Sequence, residues 1–485
     1  MKETRALQET VVPVSFVASD KRHLVLIAAI LASALGFIDG SVLAIALPAI
    51  RESLGAGLAE AQWIYSGYML MLSAFVLTGG ALGDRLGLGR SFAGGIAGFV
   101  AASVLCALAQ TPDQMIVARV LQGLGAAVMV PGSLAAITRA YPRAERGAAI
   151  GLWAASSSLT TALGPLLGGV FLSYGGAEAW RFIFAINLPL GALAIWLIVA
   201  HTRDTQRDAT TKIDFTGGAL ASAALFFIAF AFTQAEPRYG LLGAAVFGVF
   251  LWHEARCPAP MIDVRLFRVR DFSAVNLATL LMWMGFQGVL FYLPMTLIAG
   301  WEQDALITSL TFAPMALFIA LLSPRMGRLA DRIGPKPLIA AGAGVTAFGF
   351  LALSVAIVSE QFFLGILPAT SLVGLGLGLA VAPLTTAVVN SVPDDSAGTA
   401  SGVNNAAARV AGLMGVATLG LLAEAGYRAA GGQDSFGAFS QSTAHGASMI
   451  TGFQAVAYGA ALFALLGAVV VWFGMGRQAS SSASQ

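Results

Sequence analysis

Asp39 stands inside LASALGFIDGSVLAIALPAI, an apolar stretch long enough to cross a bilayer. A carboxylate in hydrocarbon costs several kcal/mol unless it is paired, hydrated or protonated, so the chemistry to expect there is reversible uptake of a proton or cation. Arg119 is the second unusual charge, about one turn inside the apolar stretch that starts near residue 114. A guanidinium near Asp39 would favour the ionised carboxylate, and arrival of a proton or cationic substrate would relax the pair and change which conformation is favoured. Arg409, in NNAAARVAGLMG, is the comparable charge of the second half; it either pairs with a carbonyl or lines a cavity with Asn404 and Asn405. Tyr65, Tyr68 and Met69 in one apolar stretch, and Met284, Gln287 and Phe291 in another, supply aromatic and thioether groups suited to lipophilic or flat cationic molecules.

Elements that hold such groups must be membrane helices. Of the 485 residues, 57% are hydrophobic and 11% charged, where an ordinary soluble domain has about 25% charged residues. The net charge of +2 is too small for a nucleic-acid binder. About fourteen stretches of sufficient length lie near 24–49, 63–83, 92–110, 114–137, 148–173, 182–200, 216–234, 239–253, 273–298, 305–323, 338–358, 362–388, 400–424 and 451–474. The first residues carry charges of both signs and no small-residue cleavage site, so the first span reads as an uncleaved insertion signal with the N-terminus in the cytoplasm. Cys106 lies in an apolar span and Cys257 in a basic loop, which does not suit a disulfide framework, and no metal-ligand cluster is visible.

The stretch YGLLGAAVFGVFLWH is short for a span, and charge decides in its favour. With an even number of central spans, Arg256, Arg265, Arg268, Arg270, Arg325, Arg328, Arg332 and Lys336 all fall on the cytoplasmic side. The opposite side then keeps only Arg51, Arg181, Arg238 and Arg428 of the 27 lysines and arginines, as the positive-inside bias requires. The segment GALGDRLGLGR after the second span is echoed by GRLADRIGPK after the second of the last six, with Asp84 and Arg85 matched by Asp331 and Arg332. Two related halves follow. The expected layout is a six-helix bundle over 1–205, a linker with two extra membrane helices over 206–270, a second six-helix bundle over 271–476 and a disordered tail over 477–485.

These residues resemble the major facilitator superfamily, and several resemble its fourteen-span drug:proton antiporter family. Gly80, Asp84, Arg85, Gly87 and Arg90 are similar to the superfamily's loop signature, although Leu88 and Gly89 stand where the family has more basic residues. Arg119, Gln122, Gly123 and Gly125 resemble the fourth-span motif, and Gly164, Pro165, Gly168 and Gly169 the antiporter motif of the fifth. Asp39, Ala46, Leu47 and Pro48 look like the first-span motif, with Ala44 where the family commonly has asparagine, and Trp180, Phe184, Asn187, Pro189 and Gly191 resemble the start of span six.

The resemblance implies an all-α polytopic membrane protein with the major facilitator fold. It implies a cytoplasmic gate in which Asp84 meets the start of the span after SVPDDSAGTASG while Arg85 and Arg146 complete a charged latch, echoed by Asp331 and Arg332. Carboxylates in such turns can face the positive end of a helix in the other half. Close packing at the Gly-Pro motif would seal the outer side. The expected function is proton-coupled export of small lipophilic or cationic compounds (multidrug efflux) by alternating access. The expected setting is a monomer in a bacterial inner membrane, with both termini cytoplasmic and no cofactor. A nutrient symporter or uniporter on the same scaffold is the alternative. A membrane-embedded enzyme or sensor is disfavoured, because no nucleophile with its base, HExxH pair or GxxxxGK[ST] loop is present.

Overall fold

Backbone N–H and C=O groups find no partners in hydrocarbon, so each long apolar run must satisfy its own hydrogen bonds as a helix. The computed structural model describes residues 16–176, 178–204, 214–393, 397–440, 442 and 444–476, apart from a few side chains that include Asp84. The tail expected to be disordered lies outside these residues. The first half comprises α1 (Arg22–Leu54), α2 (Leu58–Leu86), α3 (Leu88–Leu108), α4 (Pro112–Ala140), α5 (Arg143–Gly175), α6 (Trp180–Ala185) and α7 (Asn187–His201). Then follow α8 (Phe215–Thr233) and α9 (Pro237–Glu254). The second half holds α10 (Arg270–Met295), α11 (Ala305–Ser309), α12 (Phe312–Ile333), α13 (Pro335–Ala356), α14 (Leu367–Asn390), α15 (Ala397–Ala429) and α16 (His445–Gly474). No strand occurs among the described residues, only one bridge between Val17 and Thr202.

Among the described residues, thirteen spans are long and apolar enough to cross a membrane. Two of them are composite: α6 and α7 form one span broken at Ile186, and α11 with α12 forms another. The expected fourteenth span is α9, whose 18 residues reach about 27 Å at 1.5 Å each. Its polar ends, Arg238 and His253–Glu254, dilute its apolar character, yet it runs back along the whole of α8. A β-carbon on Gly240 would touch Ala231 at one end, and one on Gly243 would press on Ile228 midway. At the other end His253 Nε2 lies 2.9 Å from Asp214 Oδ1.

Asp214 also caps α8, accepting from Gly217 N at 2.7 Å. Burial acts to raise its pKa, but the Gly217 amide and His253 outweigh burial and hold the carboxyl below its ordinary range. Cys257 brings its sulfur within 4.8 Å of these two groups.

The repeat seen in the sequence is a repeat of backbone. Gly87, with φ 99, precedes α3, and Gly334, with φ 82, precedes α13. Both occupy the left-handed region that favours glycine. Pairing by small residues recurs as well: a β-carbon on Gly125 of α4 would collide with the backbone of Phe99 in α3, and one on Gly349 of α13 would lie 2.7 Å from Val373 N in α14. Backbones approach this closely because lipid tails give helices no hydrophobic reason to associate, and van der Waals contact must do so.

The halves meet most tightly on the face away from the start of α1, here the distal face. There a β-carbon on Gly169 of α5 would lie 2.7 Å from Leu306 Cα, and Leu306 N donates to Ser173 Oγ at 3.2 Å. Arg51 donates to Phe436 O at 2.6 Å, and Gln62 Nε2 donates to the Tyr292 hydroxyl at 2.7 Å, which donates on to Val416 O at 2.7 Å. On the proximal face α5 has open space at Gly147 and Gly151. Most of α12 from Arg325 to Ile333 is solvent-accessible or half so, and contact between the halves continues along α2 and α15, where Leu77 meets Gly402.

Close packing of this kind makes a stability test. Gly125→Ala should lower the melting temperature of the detergent-solubilised protein by the equivalent of about 1–3 kcal/mol for an overpacked site. Gly94→Ala, on the same helix pair but with nothing within 4 Å of its β-carbon, should leave it unchanged or raise it slightly.

Candidate functional site

Asp39 occupies the middle of α1, 2% exposed, roughly 25 Å along the helix from Arg22. Arg119 and Gln122 stand one turn apart on α4 and share a face. Both reach the same carboxylate: Arg119 Nη1 donates to Asp39 Oδ2 at 2.5 Å, and Gln122 Nε2 donates to Asp39 Oδ1 at 2.9 Å. The two partners are tied to each other, since Arg119 Nη1 also donates to Gln122 Oε1 at 2.6 Å. Each oxygen of the acid is therefore engaged.

The rest of the guanidinium is held by α2. Arg119 Nε donates to Ile64 O at 3.1 Å, and its charge lies 4.6 Å from the centre of the Tyr68 ring. Around Gln122 the polar set widens to Ser103 Oγ at 3.4 Å and Cys106 Sγ at 3.7 Å. Asn187 Nδ2 donates to Ser103 at 2.7 Å, while Asn187 Oδ1 is buried with no partner among the described residues. A buried pair of this type tolerates truncation poorly. Removing one partner strands a charge at a cost of about 3–5 kcal/mol, whereas replacing both with neutral groups costs far less.

The Gly-Pro stretch of α5 packs beside the acid. A β-carbon on Gly164 would collide with Ser41, and one on Gly168 would lie 2.8 Å from Val42, so α5 rides on the turns of α1 that flank Asp39. Gly169 reaches the distal contact with α11, and α5 continues unbroken through the buried Pro165.

Residues expected to line a cargo cavity fall in four places. Tyr65, Gln287 and Phe291 meet across the halves: Gln287 Nε2 donates to the Tyr65 hydroxyl at 3.3 Å, and the Tyr65 and Phe291 rings lie edge-on at 5.3 Å. Met69 faces Gly40 of α1. Met284, by contrast, is taken up in packing, 9% exposed in a cluster with Leu70 and Met414 while Gly415 abuts its backbone. In the second half Asn404 donates to Thr279 at 2.9 Å and to Asn276 at 3.2 Å, whereas Asn405 is exposed. Those asparagines, with Thr279, Trp283, Thr385 and Ser401, border a cleft of about 200 Å³.

The expected gate residues are not drawn together. Arg146 donates to Thr138 O at 2.6 Å and to Tyr141 O at 3.4 Å within its own half, and Arg85, Asp331 and Arg332 are exposed. Gly80 faces Pro131. The carboxylate of Asp84 lies outside the described residues. Arg90 belongs to a different arrangement, in which Asp204 accepts from Gly89 N at 2.7 Å and from Arg90 N at 3.0 Å and so caps α3 from the end of span six.

Sequence reasoning placed Gln122 in a motif but did not see it as a ligand of Asp39. Its spacing of three from Arg119 was the available signal. Asn187 belongs to the span-six motif, but for Ser103, Gln62 and Asp204 no local signal existed, because each acts on a helix far away in the chain.

The sequence profile of the Major Facilitator Superfamily matches residues 29–416. The chain belongs to that superfamily. It is 32% identical over 398 residues to multidrug resistance protein Stp of Mycobacterium tuberculosis, spanning 79% of this chain and 72% of Stp. Similar figures, 32% over 400 residues with 79% and 73% covered, hold for the tetracenomycin C resistance and export protein of Streptomyces glaucescens. The drug efflux pump JefA of Mycobacterium tuberculosis is 30% identical over 414 residues, with 82% and 80% covered.

Among solved structures, a bacterial homologue of the human lysosomal transporter Spinster superposes with a TM-score of 0.70 at 16% identity, covering 94% of this chain and 97% of that one. The xylose transporter XylE of E. coli gives 0.64 at 15% identity, covering 95% and 98%. These two share the fold. This major facilitator protein is a multi-pass membrane transporter whose curated relatives are named for drug and antibiotic resistance and export.

The pairing of Asp39 with Arg119 generates the site's stability prediction. Arg119→Ala should reduce the monodisperse fraction surviving a heating series by the equivalent of about 3–5 kcal/mol. Asp39→Asn combined with Arg119→Gln should recover most of that loss, as read by fluorescence-detected size exclusion.

Proposed function

We propose that this transporter exports small lipophilic compounds across a bacterial inner membrane in exchange for protons, working as a monomer by alternating access with both termini in the cytoplasm. The observation that carries the reading is the Asp39–Arg119–Gln122 set: one titratable acid at mid-depth, with both oxygens engaged by α4. Closed contacts at Gly169, Arg51 and Gln62, with open space beside Gly147 and Gly151 of α5, support reading this conformation as the inward-facing one.

The cycle follows from charge. With Asp39 ionised, Arg119 and Gln122 bind α4 to α1. A proton arriving from the opposite side neutralises the acid, removes the attraction that holds Arg119 in place, and leaves the guanidinium to its bonds with Ile64 and the Tyr68 ring. The packing of α1 against α4 then has a different optimum, and the halves rock. One proton falling through 100 mV releases about 2.3 kcal/mol, and a tenfold cargo gradient requires about 1.4 kcal/mol, so a single proton sustains more than tenfold extrusion. On the proximal side, closure would bring the Asp84, Arg85 and Arg146 corner toward the start of α15, and the Asp331–Arg332 corner toward the first half. Such contacts are worth roughly 0.3–1 kcal/mol each, enough to bias the two states without locking them.

Proteoliposome assays separate export from uptake by the direction of the proton. Wild-type protein should couple cargo extrusion to dissipation of an imposed pH gradient, while Asp39→Asn should fall to the level of protein-free vesicles although it still binds cargo. Flux through wild type that ignores the gradient sinks the exchange reading.

Gly169→Leu, which drives a side chain into the Leu306 backbone, should prevent distal closure. Cysteine accessibility from the distal side should then rise and turnover should fall, while the Asp39 site is undisturbed.

A further inference from the structure

The α8–α9 hairpin carries at its proximal base a cluster of side chains that the export cycle does not use. Asp214, His253 and Cys257 present a carboxylate oxygen, a ring nitrogen and a sulfur, all within 4.8 Å of one another. The set is hidden in the sequence, because His253 and Cys257 flank the end of α9 while Asp214 stands 39 residues before His253, just ahead of α8. Antiparallel packing of the two helices brings them together. Cys257 is a free, half-buried thiol, and the Asp214 side chain is 5% exposed.

Two further observations point to a cation. Glu254, 2% exposed, accepts from Ile262 N through Oε2 at 2.8 Å, but its other oxygen, Oε1, is buried with no hydrogen-bond partner among the described residues. That oxygen and Asp214 Oδ2 each lie 2.5 Å from the point a β-carbon would take on Gly217, so the two carboxylates border a space that a side chain there would fill. Ionised carboxylates only accept hydrogen bonds. Two of them held together out of water repel unless a proton or a metal ion joins them.

A shared proton would satisfy the carboxylates but gives no role to the imidazole and the thiol. Oxygen, nitrogen and sulfur donors together suit a borderline-soft divalent ion, whereas magnesium and calcium take oxygen ligands. His253 Nε2 lies 2.9 and 3.0 Å from the two Asp214 oxygens, near the roughly 3.3 Å between a nitrogen and an oxygen on one tetrahedral zinc ion. We propose that Asp214, His253 and Cys257 bind a zinc-type divalent ion, with the Glu254 carboxylate as the second negative charge beside it, and that the ion clamps the start of α8 to the end of α9. Binding replaces the His253–Asp214 hydrogen bond with two metal bonds and releases the thiol proton to solvent, the imidazole staying neutral with its proton on Nδ1. The clamp shares no residue with the Asp39 site. It fastens a hairpin whose α8 lies against α2 and α15.

The test uses full-length protein in detergent, purified without a polyhistidine tag, stripped with EDTA and titrated with Co²⁺ and then Zn²⁺. Wild type should take up one equivalent per chain. Co²⁺ should give a thiolate-to-metal charge-transfer band in the near ultraviolet, which Zn²⁺ removes by displacing it while excess Mg²⁺ does not. Zn²⁺ should also raise the melting temperature of wild type. Cys257→Ser should abolish the band and weaken Zn²⁺ binding by about tenfold or more, since even the loss of an outer-shell partner costs that much. His253→Gln should weaken binding likewise, and Cys257→Ala provides a second deletion of the thiol should the serine variant lose monodispersity.

No charge-transfer band in wild type, a band that survives loss of the Cys257 thiol, or displacement by Mg²⁺ overturns the proposal. Stripped protein that binds neither Co²⁺ nor Zn²⁺ but melts in a pH-dependent way indicates a proton shared by Asp214 and Glu254, and overturns it equally. Because neither cargo nor a gradient is present, failure here leaves proton-coupled export standing, and gradient-indifferent flux with intact metal binding would sink the coupling alone.

Discussion

A carboxylate and a guanidinium at mid-membrane depth can stay ionised only by facing each other, and much of the first half is arranged around that requirement. At 4 Å and an effective dielectric of 20 two unit charges attract by about 4 kcal/mol, but each has given up hydration worth several kcal/mol. The Asp39–Arg119 pair is thus near balance by itself. Gln122, Ile64 O and the Tyr68 ring tip it toward the assembled form. An interaction so finely offset can be undone by one proton, which a deeply favourable one could not. The small residues of α3, α4 and α5 serve the same end, since Gly123, Gly125 and Gly164 let backbones approach until these side chains meet.

The two halves share a backbone plan but differ in charge. Gly87 and Gly334 turn the chain in the same way, and the α3–α4 and α13–α14 pairs both close on glycine. Where α1 and α4 are joined by an acid and a base, α10 and α15 are joined by the neutral set Asn276, Thr279 and Asn404, with Arg409 of α15 outside that set. Neutral amides and hydroxyls hydrogen-bond without a change of charge. The distal contacts between the halves, Arg51 to Phe436 O and Gln62 to Tyr292, are likewise charge-to-neutral or neutral-to-neutral bonds.

Most of the fold was legible because hydropathy and length leave a membrane chain few choices, and the short apolar stretch before the second basic loop is a helix, α9, packed against α8. The Asp39 and Arg119 pairing was legible for the same reason: isolated charges in apolar spans seek one another. What could not be read was whatever depends on rotation about a helix axis or on the conformational state. Met284 sits among residues that suit a cavity, but its face of α10 turns toward Gly415. Tyr292, which composition alone would assign to an interfacial belt, is fully buried and bridges Gln62 to Val416. Arg90 belongs to the loop signature, and its partner is Asp204, whose link to α3 spans more than a hundred residues.

The hairpin of α8 and α9 must allow motion while staying in place. Its α8 lies against both α2 and α15, the seam along which the halves would slide. The contacts there are apolar or aromatic, such as Trp63 with Phe226 at 5.2 Å and Phe75 against Gly218. Apolar surfaces are non-directional and lose little when displaced by an ångström or two. The directional bonds are concentrated at the proximal base instead, where Asp214 holds His253 and Glu254 accepts from Ile262 N at 2.8 Å. Anchoring by polar groups at one end and sliding by apolar groups along the length is the combination that lets a covering element close the side of a moving transporter without stiffening it.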